Sequence, residues 1–375
     1  MENKTKIVHI TTIHKRYDSR IFHKECLSLV NSGFEVYLIV ADGKGNEIVS
    51  GIKIIDLGLE KNRIMKFLFS TRKAMHVGKM INADIYHFHD PDLLYVGKRL
   101  KKSNNQVFFD SHEDFPALML QSDYIPKLLA RPLYYFAKSF EMYYTRRISG
   151  IVTVTDKIAK KFKSYGVKRI GIIRNYPIIS LTQEPDFEKE IETPIACYVG
   201  GLTPIRGVKE MILSCAKANV KLLLVGPFDC DKYLQEMKNL PEWNNVDYIG
   251  YIPHDELYEK VYSKSSLGLV LLQSAPNHTY SIPIKQLEYM EAGLPTVSSS
   301  AIKFCEEIVN ETSCGIIVNP LDIDEITKAI QTIISDKELA KSMAIKGYNA
   351  VKEKYNWSSQ EELLVEFYKK GMKKK

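Results

Sequence analysis

Short apolar runs alternate with longer segments of helical period along the whole chain. Lys-Leu-Leu-Leu-Val (221–225) and Leu-Gly-Leu-Val-Leu-Leu (267–272) are apolar on both faces, as parallel strands buried between helix layers require. This pattern predicts strands at Lys6–Ile10, Glu35–Val40, Asp84–Phe88, Gln106–Asp110, Gly150–Val154 and Gly171–Arg174. A second series is predicted at Ile195–Val199, Lys221–Val225, Val246–Ile249, Leu267–Leu272, Pro295–Ser298 and Gly315–Val318. Strands that alternate with helices of ten or more residues imply βαβ units. The expected fold is α/β, with two doubly wound, Rossmann-like domains facing a cleft, and the strand carboxyl ends are where ligands bind in such sheets.

The two series are separated by Leu181–Thr193, a polar stretch with no periodic apolar face. The expected domains are therefore 1–180 and 194–355, joined by a linker at 181–193. The last segment, 356–375, places Trp357, Leu363, Leu364, Phe367 and Tyr368 on one helical face. A terminal helix packing back on the first domain is expected. A chain of 375 residues, 45% hydrophobic and 26% charged, has ordinary globular composition, which excludes disordered, collagenous and rod-like chains.

Charge changes the picture more than composition does. The formal net charge is +7. Residues 1–180 hold 30 Lys+Arg against 17 Asp+Glu, a net of +13, and residues 181–375 hold 22 against 28, a net of −6. A basic first half suggests a polyanionic surface or substrate beside it. No aromatic–basic recognition motif points to nucleic acid. The six cysteines form no CxxC pair, and reduced thiols in a cytosolic protein are expected. No signal peptide is expected from the polar first residues, which run straight into a strand pattern, and no apolar run nears the roughly 20 residues needed to span a bilayer.

Neither GxxxxGK[ST] nor GxGxxG after the first strand is present. After the first strand the chain instead places His14, Lys15, Arg16, Asp18 and Arg20 before a helix expected near Ser19. A basic loop feeding a helix N-terminus is an anion site; the competing reading is a solvated charged turn. In Tyr198–Ile212, Gly200 and Gly201 permit close backbone approach, and Arg206 offers a planar fork of donors to phosphate oxygens. In Pro283–Pro295, Lys285 and Glu288 share a helix face, and a carboxylate there can accept ribose hydroxyls. The competing reading is an exposed ion pair.

Two strand ends carry acids and imidazoles: His87, His89, Asp90 and Asp92, then Asp110, His112, Glu113 and Asp114. His87 and His89 point the same way from one strand. Two histidines and a carboxylate can hold a metal. Both faces of such a strand are normally covered, however, and the sequence offers no matching ligand elsewhere. No metal is expected.

Taken in order, these segments resemble the GT-B glycosyltransferases, in particular the retaining family-four enzymes that use nucleotide-sugar donors. The similarity runs from Asp18–Glu25 through FHDPDLL, DSHEDFP, IRNYP, YVGGLTPIRG and VDYIGYIPHDEL to PIKQLEYMEAGLP. The variant looks like those that build bacterial surface polysaccharides, lipopolysaccharide or capsule. The resemblance implies a hexosyltransferase with Arg206 gripping the donor pyrophosphate and Glu288 holding the ribose. It implies His112 beside the donor sugar and the backbone of Gly250, Tyr251 and Ile252 framing the base. Gly201, Ser281, Ile284 and Lys285 complete the donor side. His14, Asp18, Arg20, Asp90 and Glu113 are expected on the acceptor side. Two positions depart from the family pattern: the earlier glutamate of its E-x7-E motif falls at Tyr280, and the Arg that usually follows the loop glycine is Gly201. Lys285 can supply the missing positive charge.

The implied donor is a UDP- or GDP-linked sugar, with no further cofactor. The implied acceptor is a polyprenyl-pyrophosphate-linked or other glycan, met in the cytoplasm or at the inner membrane face. Arg131–Arg147, aromatic with basic ends, suits an anionic membrane surface; alternatively Leu133, Phe136, Phe140 and Tyr144 are its core face. The other readings of the whole chain are a sugar-nucleotide epimerase or hydrolase of the same architecture, and a non-catalytic nucleotide-sugar-binding subunit of a polysaccharide assembly complex.

Overall fold

A computed structural model describes residues 4–60, 62, 65–121, 125–181, 184–189, 192–275 and 279–370. The linker positions 182, 183, 190 and 191, and the tail 371–375, lie outside the described residues. The chain forms two compact units: Met1–Asn175 with Trp357–Lys375, and Tyr176–Asn356. The division falls before the boundary at 180, because Tyr176 packs into the second unit's core.

The first unit carries an eight-stranded sheet: β1 (Lys6–Ile10), β2 (Glu35–Val40), β3 (Glu47–Val49), β4 (Ile52–Asp56), β5 (Ile85–Phe88), β6 (Gln106–Ser111), β7 (Gly150–Thr153) and β8 (Ile170–Ile172). Their order is β3-β4-β2-β1-β5-β6-β7-β8. The β3–β4 pair is antiparallel and the others are parallel. The hairpin, which the apolar pattern does not predict, turns on Ser50 and Gly51, both at positive φ (50° and 81°). That is the geometry of a two-residue hairpin turn. Alternate strand residues enter separate cores on the two faces: Ile7, Val36 and Ile85 on one, Val8, Ile39 and Tyr86 on the other. Both faces are covered, which explains why the strands read as continuous apolar runs.

The second unit repeats the scheme with six parallel strands, β9 (Ile195–Val199), β10 (Lys221–Val225), β11 (Val246–Gly250), β12 (Leu267–Val270), β13 (Thr296–Ser299) and β14 (Gly315–Val318). Their order is β11-β10-β9-β12-β13-β14. Strand order reverses at β1/β5 in one unit and at β9/β12 in the other. These switch points open crevices at the strand carboxyl ends.

The helix expected near Ser19 begins differently: a π-helical turn, Ile21–Cys26, precedes the α-helix Leu27–Asn31. The terminal helix Trp357–Lys369 buries Trp357, Leu364, Phe367 and Tyr368 against the first unit, where Tyr368 stacks on Phe108 with ring centroids 5.6 Å apart. Leu363, expected on that face, is exposed. The Trp357 indole N–H donates to Ser28 Oγ at 2.9 Å. Trp357→Ala is expected to lower the first unit's stability by about 3–5 kcal/mol through lost packing. Ser28→Ala, which leaves the buried indole N–H without its partner, should cost less, about 1–3 kcal/mol. Urea unfolding followed by far-UV circular dichroism checks both, and similar midpoints for the two variants would contradict a packing role for Trp357.

Candidate active site

At the β1/β5 switch point the loop after β1 closes around one carboxylate. Asp90 accepts from the Thr12 amide at 2.5 Å, the Ile13 amide at 3.2 Å and the Thr11 hydroxyl at 3.0 Å. Asp90 is buried; it anchors the loop and is not free to meet an acceptor. The expected anion site is also filled from within. The amides of Arg20 and Ile21 bind Asp18 at 2.8 and 2.9 Å. Arg16 is buried against Asp42 and Glu47. Only Lys15 of the expected cations stays exposed.

Arg20 corrects the acceptor-side expectation most clearly. Its guanidinium is buried and grips both Asp110 oxygens, at 2.9 and 3.2 Å, while Nη1 donates to the Ile173 carbonyl. This is a structural ion pair of the interior. Glu113 is exposed, and its carbonyl accepts from Ser111.

His14, Asp18 and His112 do come together. The His14 Nδ1 lies 3.5 Å from Asp18 Oδ2, and its ring meets that of His112 edge-on at 5.7 Å. A hydrogen bond to Asp18 raises the His14 pKa above its ordinary value. For Asp18, burial acts upward, but His14 and the two backbone amides outweigh it and leave the carboxyl well below the usual range. The His112 ring is parallel to His89 at 5.9 Å, with Nδ1 3.6 Å from Asp110 Oδ1. Burial pushes its pKa down to about 3 despite that carboxylate. His112 is therefore a neutral imidazole at neutral pH, fit to orient a hydroxyl by hydrogen bonding.

In the second unit the loop after β9 touches the loop after β10. A Cβ on Gly226 would sit 1.9 Å from the Gly200 carbonyl oxygen, so no side chain fits there. Gly201 is open to solvent. The turn Pro204–Arg206 leaves Arg206 exposed, with its side chain at the Tyr198 hydroxyl. Gly207, at φ 75°, lets the helix Val208–Lys217 start against β12, where a Cβ would come 2.5 Å from the Leu271 carbonyl. Gly250 closes β11 at positive φ, Tyr251 is exposed and Ile252 is buried.

Glu288 lies on the helix Ile284–Glu291 and is buried. Lys285 Nζ is 2.5 Å from its Oε2, Tyr262 donates to the same oxygen at 3.2 Å, and His254 Nε2 is 3.3 Å from Oε1. The exposed-pair reading of Lys285 and Glu288 is thus excluded. Lys285 is also not a free charge, since it is committed to Glu288. Ser281 and Ile284 are half-buried just before and at the helix start, and Tyr280 is exposed. His254 and Tyr262 were not singled out from sequence; the signal available was Pro-His-Asp-Glu-Leu directly after the β11 end.

Residues 19–176 match the family model described as Glycosyltransferase Family 4, and residues 182–350 match the one described as Glycosyl transferases group 1. The chain belongs to the GT-B glycosyltransferases of the family-four type. Solved structures share the fold at low identity. Sucrose-phosphate synthase from Thermosynechococcus elongatus has a TM-score of 0.76 at 17% identity, over 98% of this chain and 99% of its own. HepE from Anabaena, solved with UDP-glucose, gives 0.70 at 16%, over 97% and 99%. WaaG, a glycosyltransferase involved in lipopolysaccharide biosynthesis, gives 0.68 at 15%, over 96% and 99%. No curated protein sequence matches the chain.

Glu288 gives this glycosyltransferase a pH signature. Burial acts to raise its pKa, but His254 and Lys285 outweigh it and bring the carboxyl from an ordinary 4.5 to about 2. A carboxyl depressed by folding stabilises the fold when ionised. That contribution, on the order of 3 kcal/mol for such a shift, is complete above pH ~5 and is lost as pH falls towards 2. Glu288→Gln should therefore be less stable than wild type at pH 7, with the gap closing between pH ~5 and 2. Chemical denaturation across that range measures it, and a pH-independent gap would refute the assignment.

Proposed function

We propose that this glycosyltransferase moves a hexosyl group from a UDP- or GDP-linked donor to a lipid-linked glycan acceptor, with retention at the anomeric carbon. Its place would be in bacterial surface polysaccharide biosynthesis, of lipopolysaccharide or capsule type. The observation that carries the reading is Glu288: a buried carboxylate held ionised by three polar partners, in the unit whose β9 end presents Gly200, Gly201 and Arg206. A fixed anion suits vicinal ribose hydroxyls, and an exposed guanidinium beside glycine backbone suits a diphosphate. That HepE binds UDP-glucose and that WaaG serves lipopolysaccharide biosynthesis support the same reading.

Departure of the nucleoside diphosphate builds charge on the leaving phosphate, and Arg206 is assigned to stabilise it with the amides near Ser281–Ile284. The leaving phosphate can then serve as base for an acceptor hydroxyl attacking the same face, so no carboxylate nucleophile is needed. Neutral His112 positions the donor sugar. Lys285 acts through Glu288: if Lys285→Ala leaves donor affinity and turnover unchanged, it is only a partner in the ion pair.

A membrane-facing acceptor gains support from the helix Lys127–Thr145. Ala137, Glu141 and Thr145 are buried and Phe140 and Tyr144 pack against the core, so the core-face alternative holds for Phe140 and Tyr144 and fails for Leu133 and Phe136. Leu128, Phe136 and Tyr135 are 88%, 69% and 64% exposed. Arg131, Arg146 and Arg147 are also exposed. Apolar and cationic groups on one surface element suit an anionic lipid interface. Among the described residues no helix is long and apolar enough to cross a membrane.

Thermal shift with a panel of nucleotide-sugars should single out one base, with stabilisation of about 2.7 kcal/mol at a hundredfold excess over Kd. Arg206→Ala and Glu288→Ala should weaken donor binding at least about tenfold, and His112→Ala should lower kcat about a hundredfold. Near-wild-type transfer by all three variants would refute the site. Free sugar released without acceptor would identify a hydrolase instead. Flotation with anionic liposomes should show salt-sensitive binding that Phe136→Glu abolishes; equal flotation of the variant would reject this surface.

A further inference from the structure

The parallel register of β1 and β5 supplies the ligand that the His87/His89 pair lacks in sequence. His9 on β1 lies directly opposite His87 on β5. From the other side, the π-helical turn Ile21–Cys26 delivers Glu25. All four side chains are buried. One donor atom from each lies within 4.8 Å of all the others. His9 Nδ1 is 2.9 Å from His89 Nε2, and Glu25 Oε2 is 3.7, 3.6 and 4.0 Å from His9 Nδ1, His87 Nδ1 and His89 Nε2.

This cluster has unused binding capacity. Both Glu25 oxygens are buried without a hydrogen-bond partner, and Oε2 is the one that faces the three imidazoles. Arg20 Nε reaches Glu25 Oε1 at 3.0 Å as an ion pair only. Buried polar atoms left unsatisfied cost on the order of 1–3 kcal/mol each, and native interiors rarely keep several together. A π-turn that aims a carboxylate at three imidazoles is the kind of irregularity that marks functional positions.

We propose that His9, His87, His89 and Glu25 form a four-coordinate site for a borderline divalent cation, Zn²⁺ by preference. A tetrahedral ion with arms of about 2.0–2.1 Å holds its donor atoms roughly 3.3 Å apart, a spacing that the observed distances bracket. Three imidazoles and one carboxylate suit Zn²⁺ better than Ca²⁺ or Mg²⁺. Four protein donors in a sealed position make a closed, structural site, clamping β1, β5 and the Ile21–Cys26 turn together. The outer groups fit as well. His89 Nδ1 is 3.4 Å from Asp110 Oδ2, the carboxylate that Arg20 holds, and His9 Nε2 is 3.5 Å from the Tyr368 hydroxyl. Such second partners fix the orientation of ligating histidines. The Tyr368 hydroxyl is 2.5 Å from His87 Nδ1 and would yield that lone pair to a bound ion.

The test uses the full chain, stripped by chelator and titrated with Zn²⁺ against a chromophoric competitor. One Zn²⁺ per chain is expected, together with a Co²⁺ derivative showing intense tetrahedral visible bands. Glu25→Gln and His87→Ala should each weaken Zn²⁺ affinity by at least a hundredfold, whereas His112→Ala, which removes the neighbouring His89–Asp110–His112 group, should keep it within about threefold. Wild-type chain that takes up no stoichiometric Zn²⁺, or a weak octahedral Co²⁺ spectrum, overturns the site whether or not the variants fold. Loss of the metal in His112→Ala overturns the choice of cluster.

Discussion

One buried guanidinium organises the crevice of the first unit. Arg20 joins Asp110 at the end of β6, Glu25 on the turn after β1 and the Ile173 carbonyl beyond β8. Three segments far apart in the chain are thus fixed to one planar group. Its bidentate grip also fixes the carboxylate beside which His112 and His89 stand. Removing one partner of a buried pair leaves an uncompensated charge, at a cost of about 3–5 kcal/mol. The positions of both rings therefore depend on an interaction that touches no ligand.

The second unit solves a related problem with less burial. Glu288 needs to be charged where burial acts to neutralise it. Lys285 and His254 keep it ionised, and Tyr262 orients it. Lys285 stands one turn away on the same helix, so the pair forms locally. His254 comes from the segment after β11, which ties the carboxylate to the backbone strip at Gly250–Ile252. The two units thus place charged groups at their switch points by different means, a long-range ion pair in one and a helical neighbour with a loop histidine in the other.

What the sequence made legible follows from range. The parallel strands were readable because burial on both faces forces continuous apolar runs. The β3–β4 hairpin was not, because Glu47–Val49 is short and half-buried. Glu288 and Lys285 were readable as a pair because helical spacing is local. The fate of Arg20 was not, since its partner is Asp110, ninety positions on, and nothing local separates a buried arginine from a solvated one. His9 escaped notice for the same reason: only the β1–β5 register sets it against His87.

The charge asymmetry acquires a different meaning once the ion pairs are placed. A net of +13 over residues 1–180 suggested a basic loop open to anions. Yet Arg16 and Arg20, the two arginines of that loop, are turned inward onto Asp42, Glu47, Asp110 and Glu25. A cation paired with carboxylates contributes little field at the surface, because its partners cancel it within a few ångströms. The positive potential must therefore arise from residues still facing solvent. Arg131 is of that kind and lies on the helix that also exposes Leu128, Tyr135 and Phe136, and Arg146 and Arg147 follow directly at its C-terminal end. In the proposed docking, attraction to an anionic surface and apolar contact with it would act on the same stretch of chain. Screening limits the first to about 10 Å at ordinary salt, while the second needs direct contact, so under the proposed docking the basic groups would bring the helix near and the apolar ones would hold it.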